Sequence, residues 1–281
     1  MKKIKNILLY THSKYLNNRE IIKLLKFFNR EKIILNRFLI NQENEHIEKI
    51  NKIDLIIVVG GDGLFISASK LAYKYSIPIL GVNFGKIGFL VDVDKKEILQ
   101  NVKELLNGKF IVDKRMLIKG TVEDKSSQII SSISLNDIVI HNYGLLKMIA
   151  VKIFINDFLI NSIRSDGLII STPTGSTAYS MSNGCPIVSP NSNVMSIVPV
   201  SPHTYSDRPI IVNSSDKIRI VIENKSIPNT LVTFDGHNNL TIPNPKYIEI
   251  SKSNKYIKIL HPENYNYFKI LSKKLKWGNR S

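Results

Sequence analysis

The amino-acid sequence predicts an α/β domain followed by an all-β, sandwich-like domain. Residues 1–108 alternate short apolar segments with helical patterns, whereas residues 109–262 carry short β-like segments separated by polar turns. A chain of 281 residues is long enough for two domains with substantial cores. Residues 263–281 return to helical spacing, so we expect a C-terminal helix that packs back on the first domain.

The first domain is predicted from strands that helices separate, as parallel pairing requires. Apolar residues from Ile21 to Phe28 fall on one helical face. A later helix is predicted between Asp94, a residue type that caps helix starts, and Gly108, a type that follows helix ends. The expected strands are Ile7–Tyr10, Ile33–Ile40, Leu55–Val59 and Ile79–Val82.

The second domain is predicted from segments rich in β-branched residues, with polar turns such as 124–127 between them. After it, Tyr267, Ile270, Leu271 and Leu275 recur at helical spacing. The expected strands are Lys114–Glu123, Gln128–His141, Lys147–Ile155, Phe158–Ser162, Lys217–Glu223, Leu231–Phe234, Tyr247–Ser251 and Tyr256–Leu260.

A turn with three glycines around one carboxylate, Gly60-Gly61-Asp62-Gly63, follows the expected strand Leu55–Val59. Apolar residues at helical spacing come directly after it, so a strand, a turn and a helix meet at Asp62. Glycines let a ligand approach the backbone closely, and the N–H groups of a helix start attract anions. The turn therefore predicts a phosphate-binding site that contains a carboxylate. The alternative is a β-hairpin turn, which Asp-Gly between apolar runs also indicates.

A second glycine-spaced turn lies within 81–90, after the expected strand Ile79–Val82. Ligands of open α/β sheets bind at the carboxyl ends of strands, so this turn is expected beside Gly60–Gly63. The alternative is a strand-to-strand connection whose glycines serve only local geometry.

Composition limits the class of protein. The single cysteine, Cys185, excludes an intrachain disulfide and a cysteine-rich metal site, and it suits a reducing compartment. No window approaches the ~18 apolar residues of a membrane-spanning helix, so we expect a cytoplasmic protein with no membrane partner. The formal net charge of +16 raises nucleic acid as an alternative partner. The lysines are scattered, however, which favours a solvated surface without nucleic acid.

The segment between Asp166 and Asp207 contains no Asp, Glu, Lys or Arg, although these types make up 22% of the chain. Its run Ser171–Ser182 is rich in hydroxyls, which hold polar ligands through neutral hydrogen bonds. A neutral pocket for a polar ligand is predicted here; the alternative is a Ser/Thr-rich turn that caps a short helix. Arg164 and Asp166 stand at its mouth, where a surface ion pair is the alternative.

Two further polar sequences interrupt apolar surroundings. Asn136-Asp137 lies within an expected strand, where a buried amide and acid would need partners, unless a turn or bulge forms there. Asp235-Gly236-His237 follows the expected strand Leu231–Phe234 and by itself indicates a hairpin turn.

Four motifs, in this order, resemble those of bacterial NAD kinases. They are Gly60-Gly61-Asp62-Gly63, Leu135-Asn136-Asp137, the run from Asp166 to Ser180 and Pro202-His203. The resemblance covers nearly the whole chain, and the run that contains Thr172-Pro173-Thr174-Gly175 is highly specific. Related lipid kinases and phosphofructokinases share the glycine turn, so a lipid or sugar kinase is the alternative enzyme. The uncharged hydroxyl-rich run favours a polar dinucleotide over an acyl chain.

The resemblance implies a fold of the NAD kinase and diacylglycerol kinase type, in a homo-oligomer, either a dimer or a tetramer. It implies that ATP and a divalent cation, Mg²⁺, are used to phosphorylate NAD at the 2′-hydroxyl of its adenosine ribose, giving NADP, with Asp62 as proton acceptor. It assigns no metal ligands. The residues implied for NAD binding are Asp62, Gly63, Asn136, Asp137, Lys147, Arg164, Asp166, Thr174, Thr177, Ala178, Tyr179, Ser180, Met181, Ser182 and His237, with Asn83 and Phe89 as additional contacts.

Three positions depart from the family pattern. Asp137 stands where the family often has Glu, which keeps the charge but shortens the reach. His237 occupies a position where Gln or Asn is common. Asn183-Gly184-Cys185 replaces a usual Gly-Gly sequence.

Overall fold

The computed structural model describes residues 4–40, 52–85, 88–123, 129–142, 147–223, 229–236, 238–243 and 245–277. The chain divides into two compact units. The first unit comprises Met1–Lys114 together with Ile257–Ser281, and the second comprises Arg115–Tyr256. The predicted fold class, an α/β N-terminal part and a sheet-rich C-terminal part, is confirmed.

The first unit contains parallel strands and the helices that connect them. Its α1 begins after Asn18, whose side chain caps the helix by accepting the N–H of Glu20. Its strands are β1 (Asn6–His12), β2 (Ile34–Ile40), β3 (Leu55–Gly60), β4 (Ile79–Asn83) and β5 (Val93–Asp94), and its helices are α1 (Arg19–Arg30), α2 (Asp62–Tyr75), α3 (Ile98–Leu106) and α4 (Tyr267–Leu275).

The strands of the first unit pair in the order β2-β1-β3-β4-β5, and every one of these pairings is parallel. Every residue of β3 is buried, as its uninterrupted apolar sequence predicts. The order along the sheet reverses between β1 and β3, because β2 lies on one side of β1 and β3 on the other. Open α/β sheets bind ligands outside the carboxyl ends of the strands at such a reversal, and the glycine turn follows β3 there.

The second unit is built from antiparallel strands. It contains most of β6 (Ile111–Glu123) and of β17 (Tyr247–His261), each of which extends beyond the unit. Its other strands are β7 (Ile129–Ser134), β8 (Asp137–Asn142), β9 (Ile149–Ile155), β10 (Phe158–Ser165), β11 (Gly167–Ser171), β12 (Val194–Val200), β13 (Ile210–Asn213), β14 (Ile218–Ile222), β15 (Asn229–Phe234) and β16 (Asn238–Pro243).

Two runs of strands in the second unit enclose one apolar core. One sheet has the order β13-β12-β11-β8-β15-β16, and a second run has the order β10-β9-β14-β17. Ile138 and Ile170 of the first sheet belong to the same buried cluster as Val151, Ile220 and Ile250 of the second run. Inward-facing residues of both sheets therefore form a sandwich core.

Several strand predictions were wrong in extent. The single strand expected over Gln128–His141 is two strands, interrupted at Leu135 and Asn136. The two strands expected around Tyr247–Ser251 and Tyr256–Leu260 are one strand, in which Ser253 is buried. In β17, sheet pairing outweighs the local polarity around Ser253. The polar turn expected at 124–127 lies outside the described residues.

Within the described part of the chain, none of the helices combines the length and the apolar character needed to cross a membrane.

Candidate functional site

The glycine turn after β3 leads into a helix. Gly61 is the N-cap residue of α2, and Asp62 is the first residue of that helix. The hairpin alternative for this turn is therefore wrong. Gly63 lies in the first turn of α2, where no atom would obstruct an added Cβ.

The carboxylate of Asp62 is held by the backbone of the segment that follows β4. The N–H of Phe89 donates to Oδ2 at 2.8 Å, and the N–H groups of Leu90 and Val91 donate to Oδ1 at 3.0 and 3.3 Å. Nζ of Lys274 on α4 lies 3.4 Å from Oδ2. The two glycine turns thus lie side by side, as expected for segments that follow neighbouring parallel strands.

Two glycines of the second turn differ in their surroundings. A Cβ at Gly88 would overlap with Oδ1 of Asp62, whereas nothing lies within 4 Å of a Cβ at Gly85. Gly88 is therefore required for the approach of this segment to the carboxylate. Asn83 shapes the same turn, because its side chain accepts the N–H of Gly85 at 2.8 Å.

A cavity of about 560 Å³ lies in the second unit, within the size range of ligand pockets. Five residues that the resemblance implies are in its lining, and seven others were not anticipated as lining residues. The lining consists of Asn136, Asp137, Val139, His141, Asp166, Gly167, Ala178, Tyr179, Val200, Thr233, Asp235 and Gly236.

Asp235 holds the interruption between β7 and β8 in place. Its carboxylate accepts the N–H of Leu135 at 2.9 Å, that of Asn136 at 2.7 Å and that of Asp137 at 3.2 Å. Asp235 (φ 53°) and Gly236 (φ 67°) form the left-handed turn between β15 and β16. The predicted hairpin turn is confirmed, but its acid also organises the Asn136-Asp137 motif.

Asp137 is buried, with 5% of its surface exposed. Burial first, and then the neighbouring charge of Asp235, raise the pKa of the Asp137 carboxyl to about 7. Both effects disfavour the ionised form, and such pairs of acids are common where a protein binds or transfers protons. The cavity therefore contains a carboxyl that changes charge near neutral pH.

Many hydroxyls of the Ser171–Ser182 run bond to its own backbone or to the adjacent one. Oγ1 of Thr172 donates to the carbonyl of Leu135, Oγ of Ser176 donates to that of Pro173, and Oγ of Ser180 donates to that of Gly175. The run forms two short 3-10 turns, Thr174–Thr177 and Tyr179–Asn183. Ser176 and Ser180 are thus buried, with their hydroxyls bonded to the backbone, and the NAD-binding role implied for Ser180 stays a prediction.

Gly175 allows the run to pack tightly against the Asn136-Asp137 motif. A Cβ at Gly175 would overlap with the carbonyl oxygen of Asn136, and the N–H of Thr172 donates to the same oxygen at 2.8 Å. Ala178 and Tyr179, which follow Gly175, reach the cavity. The hydroxyl of Thr174 accepts a hydrogen bond from the buried guanidinium of Arg115 at 3.3 Å. Arg115 lies in an expected strand with no motif around it, so sequence reasoning missed it.

Other implied residues lie apart from the cavity lining. Of the described ones, Lys147, Arg164, Thr177, Met181 and Ser182 do not line the cavity. Arg164 and Ser182 are exposed, and the carbonyl of Lys147 accepts the side-chain amide of Asn142. His237 lies outside the described residues.

Within the described ranges, no three His, Cys, Asp or Glu side chains are grouped so that they could hold a metal ion. Mg²⁺ does not require such a group, since it is usually bound by one or two carboxylates and the phosphates of a substrate.

Two family models match this chain. Residues 9–110 match the ATP-NAD kinase N-terminal domain, and residues 135–262 match the ATP-NAD kinase C-terminal domain. An NAD kinase of Teredinibacter turnerae is 40% identical over 228 residues, which cover 81% of this chain and 78% of that protein. An NAD kinase of Coxiella burnetii is 41% identical over 230 residues, covering 82% of this chain and 77% of that protein.

Solved structures share the fold at lower identity. Yeast NADH kinase complexed with NADH superposes with a TM-score of 0.89 at 21% identity, covering 100% of this chain and 90% of that one. An NAD kinase from Archaeoglobus fulgidus in complex with ATP gives a TM-score of 0.76 at 23% identity, covering 96% of this chain and 98% of that one.

Proposed function

The chain belongs to the NAD kinase family, whose members phosphorylate NAD, and from this premise we propose the reaction and the residues that carry it. The γ-phosphoryl group of ATP is transferred to the 2′-hydroxyl of the adenosine ribose of NAD, giving NADP and ADP. The observation that carries this proposal is the carboxylate of Asp62, which lies at the start of α2 and is oriented by three backbone N–H groups.

Asp62 acts as the proton acceptor. Phosphoryl transfer depends mainly on positioning and charge stabilisation, and a carboxylate that orients or deprotonates the attacking hydroxyl completes the requirement. The hydroxyl oxygen forms a bond to the γ-phosphorus, the bond from that phosphorus to the β–γ bridging oxygen breaks, and the hydroxyl proton passes to Asp62. The amides of Phe89, Leu90 and Val91 keep the carboxylate oriented throughout.

The cavity of the second unit binds NAD. Oxygen atoms of Asn136 and Asp137 accept hydrogen bonds from ribose hydroxyls, and Asp166 contributes a further acceptor. The exposed ring of Tyr179 offers a flat apolar surface on which a base can stack. Ala178, Val139 and Val200 supply the apolar wall that such pockets need.

A divalent cation, Mg²⁺, bound together with ATP would supply positive charge that neutralises the phosphate oxygens. Asp62, the carboxylate within the glycine turn, would contact it, since the described residues contain no group of three His, Cys, Asp or Glu side chains that could hold a metal ion.

The enzyme works in the cytoplasm as a homo-oligomer. Cys185, the single cysteine of the chain, is a buried free thiol, which suits a reducing compartment. Sedimentation equilibrium of the purified chain tests the oligomer: a single species with the mass of one chain would reject it.

The activity is tested by incubating the purified chain with ATP, Mg²⁺ and NAD and measuring NADP with an NADP-specific dehydrogenase. We expect NADP to accumulate in proportion to enzyme. Phosphorylation of a lipid or sugar without NADP would instead support the alternative kinase. Steeply salt-dependent binding to oligonucleotides, without a thermal shift by NAD, would support a nucleic-acid-binding protein.

Gly88→Ala is expected to lower kcat by about tenfold to a hundredfold. The new methyl group would overlap with Oδ1 of Asp62 and would therefore push the carboxylate away from its position against the backbone amides. The matched control is Gly85→Ala in the same turn, where an added Cβ meets open space. Steady-state rates of both variants check this. Equal rates for the two variants would show that the packing of Gly88 on Asp62 is irrelevant to turnover.

NAD binding is expected to tighten as pH rises from roughly 6 to 8, on either side of the raised pKa of Asp137, about 7. Below this range the carboxyl is protonated and accepts hydrogen bonds weakly; above it the carboxylate accepts them from ribose hydroxyls more strongly. Calorimetric titration across this range measures the dissociation constant. Asp137→Asn should abolish the pH dependence, while His141, Asp166 and Asp235 remain in the cavity. An unchanged pH profile in that variant would assign the titration to another group.

A further inference from the structure

Lys274 lies in the last turn of α4, a helix of the first unit. Leu271 of the same helix is buried, and the helix start is capped by Asn266, whose side chain accepts the N–H of Lys269 at 3.0 Å. The ammonium of Lys274 lies 3.4 Å from Oδ2 of Asp62 and 4.2 Å from the centre of the Phe89 ring. A residue 212 positions along the chain from Asp62 therefore adds a cation to the glycine turn.

The Asp62 carboxylate does not need this lysine to satisfy its oxygens. Oδ2 already accepts the N–H of Phe89, and Oδ1 accepts those of Leu90 and Val91. The distance of 3.4 Å is also longer than the ~2.8 Å of a strong charge-assisted hydrogen bond. An ammonium group has three donors, and its side chain here is partly exposed, 32% for Lys274 against 26% for Asp62. Lys274 therefore has donors to offer to a substrate beside Asp62.

The position of the reacting phosphorus follows from the role of Asp62 as proton acceptor, on which this inference rests. A hydroxyl that gives its proton to Asp62 lies about 3 Å from the carboxylate, and its oxygen approaches the γ-phosphorus to about 3 Å before reaction. The oxygens of the transferred group then come within reach of an ammonium that is itself 3.4 Å from Oδ2, since lysine turns on four single bonds.

We propose that Lys274 is a catalytic residue that binds the γ-phosphoryl group of ATP during its transfer. Its ammonium leaves Oδ2 of Asp62 and donates hydrogen bonds to the non-bridging oxygens, where negative charge must be stabilised in the transition state. The same movement frees Oδ2 to accept the proton of the attacking hydroxyl. The lysine keeps its own protons, so the bonds made and broken are those of the transfer itself.

The experiment compares Lys274→Met and Lys274→Gln, which remove the charge, with Lys274→Arg, which keeps it. Lys273→Met is the matched control, because Lys273 is exposed on the same helical turn and is not a partner of Asp62. We expect the uncharged variants to lose about 10²-fold in kcat with little change in Tm or in the KM for NAD. The Lys274→Arg variant should regain most of the lost kcat, and the kcat of Lys273→Met should match that of wild type.

Wild-type enzyme that forms no NADP would reject the proposed function itself. With active wild type, a folded Met or Gln variant that retains its kcat would overturn the role of Lys274 alone. An Arg variant as impaired as the Met variant would also overturn it, because charge would then be irrelevant. If both uncharged variants lose cooperative unfolding, the lysine serves the fold and the proposal is overturned as well.

Discussion

Replacing Asp62 with Asn is expected to lower kcat by about 10²-fold or more, up to about 10⁴-fold, because the side chain can no longer accept the proton of the attacking hydroxyl. The affinity for NAD should stay close to wild type, since five of the implied NAD contacts line the cavity of the second unit and the substitution changes none of them. Single-turnover formation of NADP, with the dissociation constant for NAD measured separately, distinguishes the chemical step from binding.

Asparagine at position 62 also changes the hydrogen bonds to the backbone amides, so the experiment needs a control for this change. An amide has one acceptor oxygen, so its NH₂ group would face either the N–H of Phe89 or those of Leu90 and Val91. Gly88→Ala, which moves Asp62 without removing its charge, reports the cost of that displacement. Asp94→Asn is the matched surface variant, because Asp94 caps only a short turn at Lys96. Near-normal turnover of Asp62→Asn would remove Asp62 from the chemistry.

Replacing Asp235 with Ala is expected to destabilise the protein by about 3 kcal/mol or more, because the N–H groups of Leu135, Asn136 and Asp137 lose their acceptor at buried or partly buried positions. Alanine at φ 53° adds backbone strain. NAD binding should weaken in parallel, since the Asn136-Asp137 motif loses its support. Urea unfolding and calorimetric NAD titration of the same preparations measure the two effects.

Two variants separate the causes. Asp235→Gly removes the carboxylate but tolerates the left-handed conformation, so its difference from the alanine variant isolates the strain. Asp216→Ala is the surface control: its carboxylate accepts the N–H of Asn213 and the side-chain amide of Asn156 at exposed positions, and we expect an effect within about 0.5 kcal/mol. Stability of Asp235→Ala equal to that of the surface control would contradict the supporting role of Asp235.

The strand-turn-helix around Asp62 could be predicted because its signals are local. An apolar run buried on both faces, three glycines and a change of period from strand to helix all lie within about twenty residues of sequence. The long strand β17 could not be predicted in the same way, since the polar residues in its middle are held extended by the sheet rather than by their own preference.

For the hydroxyl-rich run Ser171–Ser182, the sequence predicted the pocket but not which side chains face it. Its lack of charge and its small residues predicted a polar pocket, and Ala178 and Tyr179 do line one. Which hydroxyls face that cavity depends on the 3-10 turns, which direct Ser176 and Ser180 to nearby carbonyls instead. The sequence does not distinguish these serines from the neighbouring hydroxyl residues, because the pocket was predicted from the composition of the whole run.

The sequence by itself determined the fold class and the family, because both depend on local periodicity and on motifs read in order along the chain. Tertiary structure alone decided the partners of the two organising acids. Asp62 meets the amides after Gly88 and the ammonium of Lys274, and Asp235 supports a motif 100 residues away. Hydrogen bonds and charge interactions act over a few ångströms in space, so chain folding, rather than sequence distance, selects the groups that share a site.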